Sequence, residues 1–208
     1  MFVNHCLSAI KPSATIGITM RAKELNAKGV NVISLAAGEP DFDTPEHVKE
    51  ATIAALRDGK TKYTPSAGIP PLREAIAAKL TSENNLQYTA PQIVVGCGAK
   101  HSLYNVFQIM LEPGDEVIIP SPYWVSYPEF VSLAGGTPVI VPTDQAHDFR
   151  ITPGQLAAAI TPRTRAFVLN SPSNPTGMGY DRAAQEALAQ VLRAHPQVAI
   201  VSDEIYEL

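Results

Sequence analysis

From residue 92 onward, short apolar runs alternate with longer stretches of helical spacing. That alternation limits the fold more than any other feature. Residues 92–95, 116–119, 137–141, 165–169 and 198–201 are largely apolar and too short for stable helices. Residues 98–111, 123–134, 152–160 and 182–194 instead repeat apolar side chains every three or four positions. Turns such as Pro113-Gly114-Asp115 and Gly135-Gly136 punctuate them. Strands followed by helices of this length predict an α/β fold with a mainly parallel sheet. Such folds bind ligands just beyond the carboxyl ends of the strands, which says where to look for chemistry.

Before residue 92 the rhythm is less regular, and the first 40 residues are organised differently. Residues 15–28 carry Ile16, Thr19, Met20 and Lys23 at helical spacing, and residues 31–36 suggest a short strand. Thr44 is the expected N-cap of a helix opened by Pro45 and ended by Asp58-Gly59. Residues 60–68 suggest a loop, and residues 70–82 a helix with Leu72, Ile76 and Leu80 on one stripe. Residues 1–40 could belong to a second, smaller domain.

Composition narrows the class. With 208 residues, 45% hydrophobic and 17% charged, the chain is too apolar for disorder and long enough to bury a core. A net charge of −4 argues against nucleic acid held by bulk charge. No apolar run approaches the roughly 18 residues of a membrane span, and residues 1–10 lack a basic n-region. Two cysteines, Cys6 and Cys97, make neither a disulfide framework nor a zinc cluster and suit a cytoplasmic setting. No metal site is expected.

Four constellations follow strand ends. Gly96-Cys97-Gly98-Ala99-Lys100 precedes a helix, where small residues let backbone N–H groups approach an anion and Lys100 adds charge. Without the P-loop or dinucleotide glycine spacing, a plain tight turn is the favoured reading of this segment by itself, with Cys97 as a small buried filler. Ser121-Pro122-Tyr123-Trp124 places the only tryptophan where a flat ligand could stack, or where a core aromatic would sit. In residues 171–177, two prolines and Gly177 frame Asn174, a stiff loop able to present an amide. Asp203 and Glu204 follow the last strand, with Tyr206 three residues after Asp203. Adjacent residues of a strand end point apart, so a hydrolytic carboxylate pair is disfavoured. Together these are the parts that hold a flat, phosphorylated, nitrogen-containing ring.

At this point the sequence resembles the class I aminotransferases that use pyridoxal 5'-phosphate (PLP), in their bacterial aspartate/prephenate branch. The motifs are K-P-S-A-T at residues 11–15, A-A-G-E-P-D-F-D-T-P at 36–45 and K-Y-T-P-S-A-G-I-P-P-L-R at 62–73. S-P-Y-W-V-S-Y-P at 121–128, N-S-P-S-N-P-T-G at 170–177 and V-S-D-E-I-Y-E at 201–207 complete the series in the family's order. The resemblance implies the large domain of PLP fold type I, a three-layer sandwich around a mainly parallel sheet. It assigns residues 1–40 to the small domain and 41–208 to an incomplete PLP-binding domain.

By the same resemblance, Gly98, Ala99 and Lys100 bind the cofactor phosphate, and Tyr63 reaches the phosphate of a partner subunit in a homodimer with shared active sites. Trp124 stacks on the pyridine ring. Asn174 contacts its O3′ and the substrate carboxylate. Asp203 pairs with the ring nitrogen, and Tyr206 with O3′. Gly38 makes a backbone contact to substrate, and Lys11 is linked to accepting the dicarboxylate prephenate. The implied reaction moves an amino group from aspartate or glutamate to oxaloacetate, 2-oxoglutarate or prephenate. A C–S lyase of the same fold and a non-catalytic binding module are the alternatives.

One departure stands out. The family's Schiff-base lysine should follow the Asp203 motif by some tens of residues, yet no lysine follows Lys100. The arginine that grips the substrate carboxylate is absent too. The expectation is an N-terminal half of a longer enzyme, with no catalytic residue of its own, weak PLP binding at best, and poor solubility from an unpaired sheet edge.

Overall fold

In the computed structural model, which describes residues 10, 12–38 and 40–207, helices form where the sequence supplies caps and apolar stripes. The described residues divide into two compact units, one of residues 12–38 and 40–96, the other of residue 10 with 97–207.

The first unit holds α1 (Ala14–Ala27), α2 (Glu46–Arg57) and α3 (Pro70–Ser82). Ser13 caps α1, its hydroxyl accepting from the Ile16 N–H. Thr44 does not cap α2. The chain enters that helix through Pro45, whose ring presets φ and whose carbonyl accepts from the N–H groups of Val48 and Lys49. Gly68, at φ +101°, admits no side chain, because a Cβ there would lie 2.6 Å from Val95 Cγ2.

Two expected strands in this unit are absent. In residues 31–36, the Asn26 side chain takes both backbone groups of Val32, accepting from its N–H at 2.9 Å and donating to its carbonyl at 3.2 Å. Residues 90–92 form a single 3₁₀ turn instead of leading into a strand. Beyond it, the Ile93 carbonyl accepts from Arg73 Nε and the Val95 N–H donates to the Ala67 carbonyl. These backbone groups are satisfied by isolated partners, and no ladder forms among the described residues.

In the second unit the remaining apolar runs become β1 (Glu116–Ser121), β2 (Thr137–Pro142), β3 (Thr164–Asn170) and β4 (Ala199–Asp203). All pairings are parallel, in the order β2-β1-β3-β4. The intervening helices are α4 (Ala99–Met110), α5 (Ser126–Leu133), α6 (Pro153–Ala159) and α7 (Arg182–Arg193). α5 begins three residues later than its apolar spacing predicts, because residues 122–125 make the turn out of β1.

Consecutive strand residues pack against different layers. Val117 and Ile119 join Leu103 and Phe107 of α4 and Phe130 of α5. Ile118 joins Leu156 of α6 and Leu188 of α7. A parallel sheet buried on both faces explains the unbroken apolar run of β1. The expected three-layer α/β/α arrangement is therefore present. Among the described residues β4 pairs on one side only, with β3, and Ile200 is half exposed. Among the described residues, no helix is long and apolar enough to cross a membrane.

The amino ends of β1 and β3 are tied by charge. Glu116 accepts from Arg163 Nε and from the Thr161 hydroxyl, and Asp115 accepts from Arg165 Nε at 2.9 Å. The Thr161 bond, and then Arg163, hold the Glu116 carboxyl below its ordinary pKa against the opposing effect of burial. A backbone bond from Glu112, with Arg165, does the same for Asp115. Both contributions to stability are present above the unfolded carboxylate range of about 3.9–4.3 and are lost as pH falls below it, through the lower folded values. Urea unfolding between pH 7 and 3 should show that decline, and Glu116→Gln should flatten it. An unchanged slope in the variant would mean that Glu116 adds nothing to acid sensitivity.

Candidate active site

Because β2 and β3 lie on opposite sides of β1, the chain leaves β1 and β3 in opposite directions, and a crevice opens at their carboxyl ends. Ile119, Tyr127, Val168, Asn170 and Ser173 line it.

Asp203 is the last residue of β4, and its side chain is buried. Its Oδ2 accepts from the Tyr127 hydroxyl at 2.6 Å, and its Oδ1 from the Ile205 N–H at 3.3 Å. Glu204 is exposed and accepts from the Ser202 hydroxyl, so the two carboxylates do not form a pair.

Asn170, the last residue of β3, braces two segments. Its Nδ2 donates to the Asp203 carbonyl at 3.0 Å, and its Oδ1 accepts from the Asn174 N–H at 2.7 Å. The Asn174 side chain in turn reaches the Tyr206 hydroxyl at 3.5 Å, the outer limit of a hydrogen bond. Gly177, at φ +72°, closes the loop with its N–H on the Ser173 carbonyl.

Trp124 follows β1. Its ring meets Tyr127 edge-on at 5.4 Å and Phe130 at 5.8 Å between centroids. Lys100 Nζ stands 5.0 Å from the Trp124 centroid, a cation–π distance that joins the start of α4 to the aromatic group. Gly98 precedes α4 at φ +83°, with open space where a Cβ would sit. Its need for glycine is conformational. The first N–H groups of α4 have no acceptor within the helix and are available to an anion. Ala99 and Asp203 line the same groove between α4 and β4. Cys97 is exposed and is not the buried filler expected, because its N–H is drawn to His101 Nδ1 at the helix start.

Gly98, Ala99, Lys100, Trp124, Asn174, Asp203 and Tyr206 all belong to the second unit and are joined by these contacts. Tyr63 and Gly38 belong to the first unit, both exposed. Lys11 lies outside the described residues. No cluster of three or more His, Cys, Asp or Glu residues suited to a metal occurs among the described residues.

Two residues of the site were not singled out from the sequence. Tyr127 continues the apolar stripe of Trp124 and Phe130 and reads as core. Its partner lies 76 positions away, and no local signal gives that pairing. Asn170 closes an apolar strand. A polar residue there was the available signal.

Chemically, the group offers a buried carboxylate, an aromatic face, an amide with a phenol, and a helix start flanked by a lysine. That set fits a phosphorylated pyridine: the carboxylate suits a protonated ring nitrogen, and the helix start suits a phosphate.

A family model described as aminotransferase class I and II matches residues 30–208. An aspartate/prephenate aminotransferase of Cereibacter sphaeroides is 56% identical over 206 residues, which are 99% of this chain and 52% of that protein. An aspartate aminotransferase of Geobacillus stearothermophilus is 56% identical over 97% of this chain and 51% of its own length. The solved structure of aspartate aminotransferase from Thermus thermophilus with maleate superposes with a TM-score of 0.96 at 53% identity. It covers 100% of this chain and 54% of that one. The chain thus spans about half the length of the curated relatives it matches.

Replacing Asn170 separates its two bonds. Asn170→Ala should speed hydrogen exchange at the Asn174 amide about 3- to 10-fold, the worth of one hydrogen bond. Asn170→Asp keeps the acceptor and should keep that protection, while presenting an oxygen to the Asp203 carbonyl and lowering the melting temperature. Equal exchange in all three proteins would remove Asn170 as a brace.

Proposed function

Because the chain belongs to the aminotransferase class I and II family, we propose that it carries the PLP-binding face of an enzyme that moves an amino group between an amino acid and a keto acid. The observation that carries this reading is the convergence of Lys100, Trp124, Asn174, Asp203 and Tyr206 beyond parallel strands. Aspartate or glutamate is the proposed donor, and oxaloacetate, 2-oxoglutarate or prephenate the proposed acceptor. The relatives' names favour transfer over elimination.

PLP, when bound, supplies an electron sink for charge released at the substrate Cα. The chain's residues make that sink usable. Asp203 holds a proton on the ring nitrogen, because a buried carboxylate favours the charged partner. Trp124 covers the ring and excludes water. Asn174 and Tyr206 hold the O3′ edge and orient the substrate carboxylate. The start of α4, with Lys100, takes the phosphate. Lys100, whose Nζ stands 5.0 Å from the Trp124 centroid, would add positive charge beside that phosphate.

Residues 1–40 are proposed to pack with a small domain, and residues 41–208 to form part of the PLP domain. Tyr63 and Gly38 are proposed to act across a homodimer and on substrate, and Lys11 on a dicarboxylate. A cytoplasmic setting suits the two cysteines. No lysine follows Lys100 in these 208 residues, Lys100 is assigned to the phosphate, and the chain is therefore proposed not to turn over by itself.

PLP titration followed by Trp124 fluorescence should show weak, saturable quenching, weakened at least tenfold in Asp203→Ala. Equal affinity in the two proteins would remove Asp203 from the site. Purified chain given aspartate and 2-oxoglutarate should form no glutamate. Turnover would refute the proposed need for a further lysine.

A further inference from the structure

Tyr127 is enclosed in the core, yet it ends in a polar atom. Its ring packs with Phe130 and Val131 of α5 against Val117 and Ile119 of β1. A buried hydroxyl without a partner is costly, and so is a buried carboxylate. Here each satisfies the other, at 2.6 Å across elements 76 residues apart. Burial first, then the adjacent carboxylate, push the phenol far above its ordinary pKa. It stays protonated and donates. The other Asp203 oxygen is taken by the Ile205 N–H, and the Asp203 carbonyl by Asn170. The same tyrosine ring bears edge-on on Trp124. One side chain therefore touches both the aromatic face and the carboxylate.

We propose that Tyr127 is a positioning residue that locks the Asp203 carboxylate in one rotamer and sets it in register with Trp124. Its consequence for the cofactor rests on the reading of Asp203 given above. The lock itself does not.

Three-bond NMR couplings that report the Asp203 χ1 angle separate these points. In the wild-type chain they should report a single rotamer. In Tyr127→Phe, which removes only the hydroxyl, they should move toward an average. Ile205 amide exchange should then rise about 3- to 10-fold, again the worth of one hydrogen bond. A loss of packing alone would lower the melting temperature without averaging those couplings. Couplings unchanged in Tyr127→Phe would overturn the proposal. Should that variant fail to fold, the wild-type chain decides: the Tyr127 hydroxyl proton should give a resolved, slowly exchanging signal, and a freely exchanging one would overturn the lock. PLP titration forms the other arm. Tyr127→Phe should weaken binding about 3- to 10-fold and Asp203→Ala more. If Asp203→Ala alone weakens binding, Tyr127 has no part in the site. If neither does, the cofactor reading fails while the couplings still judge the lock.

Discussion

Parallel pairing sends every strand of the second unit toward the same edge. Because β1, β3 and β4 run in one direction, the residues that end them arrive together although they lie 30 to 80 positions apart in the chain. Antiparallel pairing would have scattered Trp124, Asn170 and Asp203 to opposite edges. The crossover helices that parallel pairing requires supply the two apolar layers. One of them, α5, brings Tyr127 under the site.

The two ends of this sheet do different work. At the amino ends, Arg163 and Arg165 neutralise Glu116 and Asp115. At the carboxyl ends, the buried acid Asp203 accepts hydrogen bonds only from neutral groups, a phenol and an amide N–H. Its charge is satisfied but not cancelled by a cation, which leaves it able to attract one. The rule that stable folds pair their buried charges is kept at one end and relaxed at the other, where the ligand site is proposed.

Much of this was legible in the sequence, for identifiable reasons. Runs such as Val117-Ile118-Ile119 are buried on both faces, so composition alone marks them. Ser13, Thr152 and Asp181 cap their helices by accepting from the N–H groups of Ile16, Gln155 and Ala184, and of these only the start at Thr152-Pro153 was read from the sequence. Residues 31–36 and 92–95 have similar composition but no ladder, because a strand is a property of two segments and pattern reports only one. Trp124, Asn174 and Asp203 were visible as unusual residues after strands. Tyr127 was not, since its ring obeys the core pattern and only its hydroxyl departs from it. Cys97 failed oppositely: a residue type that is usually buried is exposed here by a turn.

Asp203 lies at the tip of a strand that, among the described residues, is bonded to one neighbour only. Strands held from one side open more readily than interior ones. Each fluctuation that peels β4 from β3 would also break the Asn170 and Ser171 contacts to the Asp203 carbonyl. Whatever zips against the free flank of β4 would suppress that breathing. Affinity for the proposed ligand at the tip and occupancy of the flank would then be two readouts of a single local equilibrium.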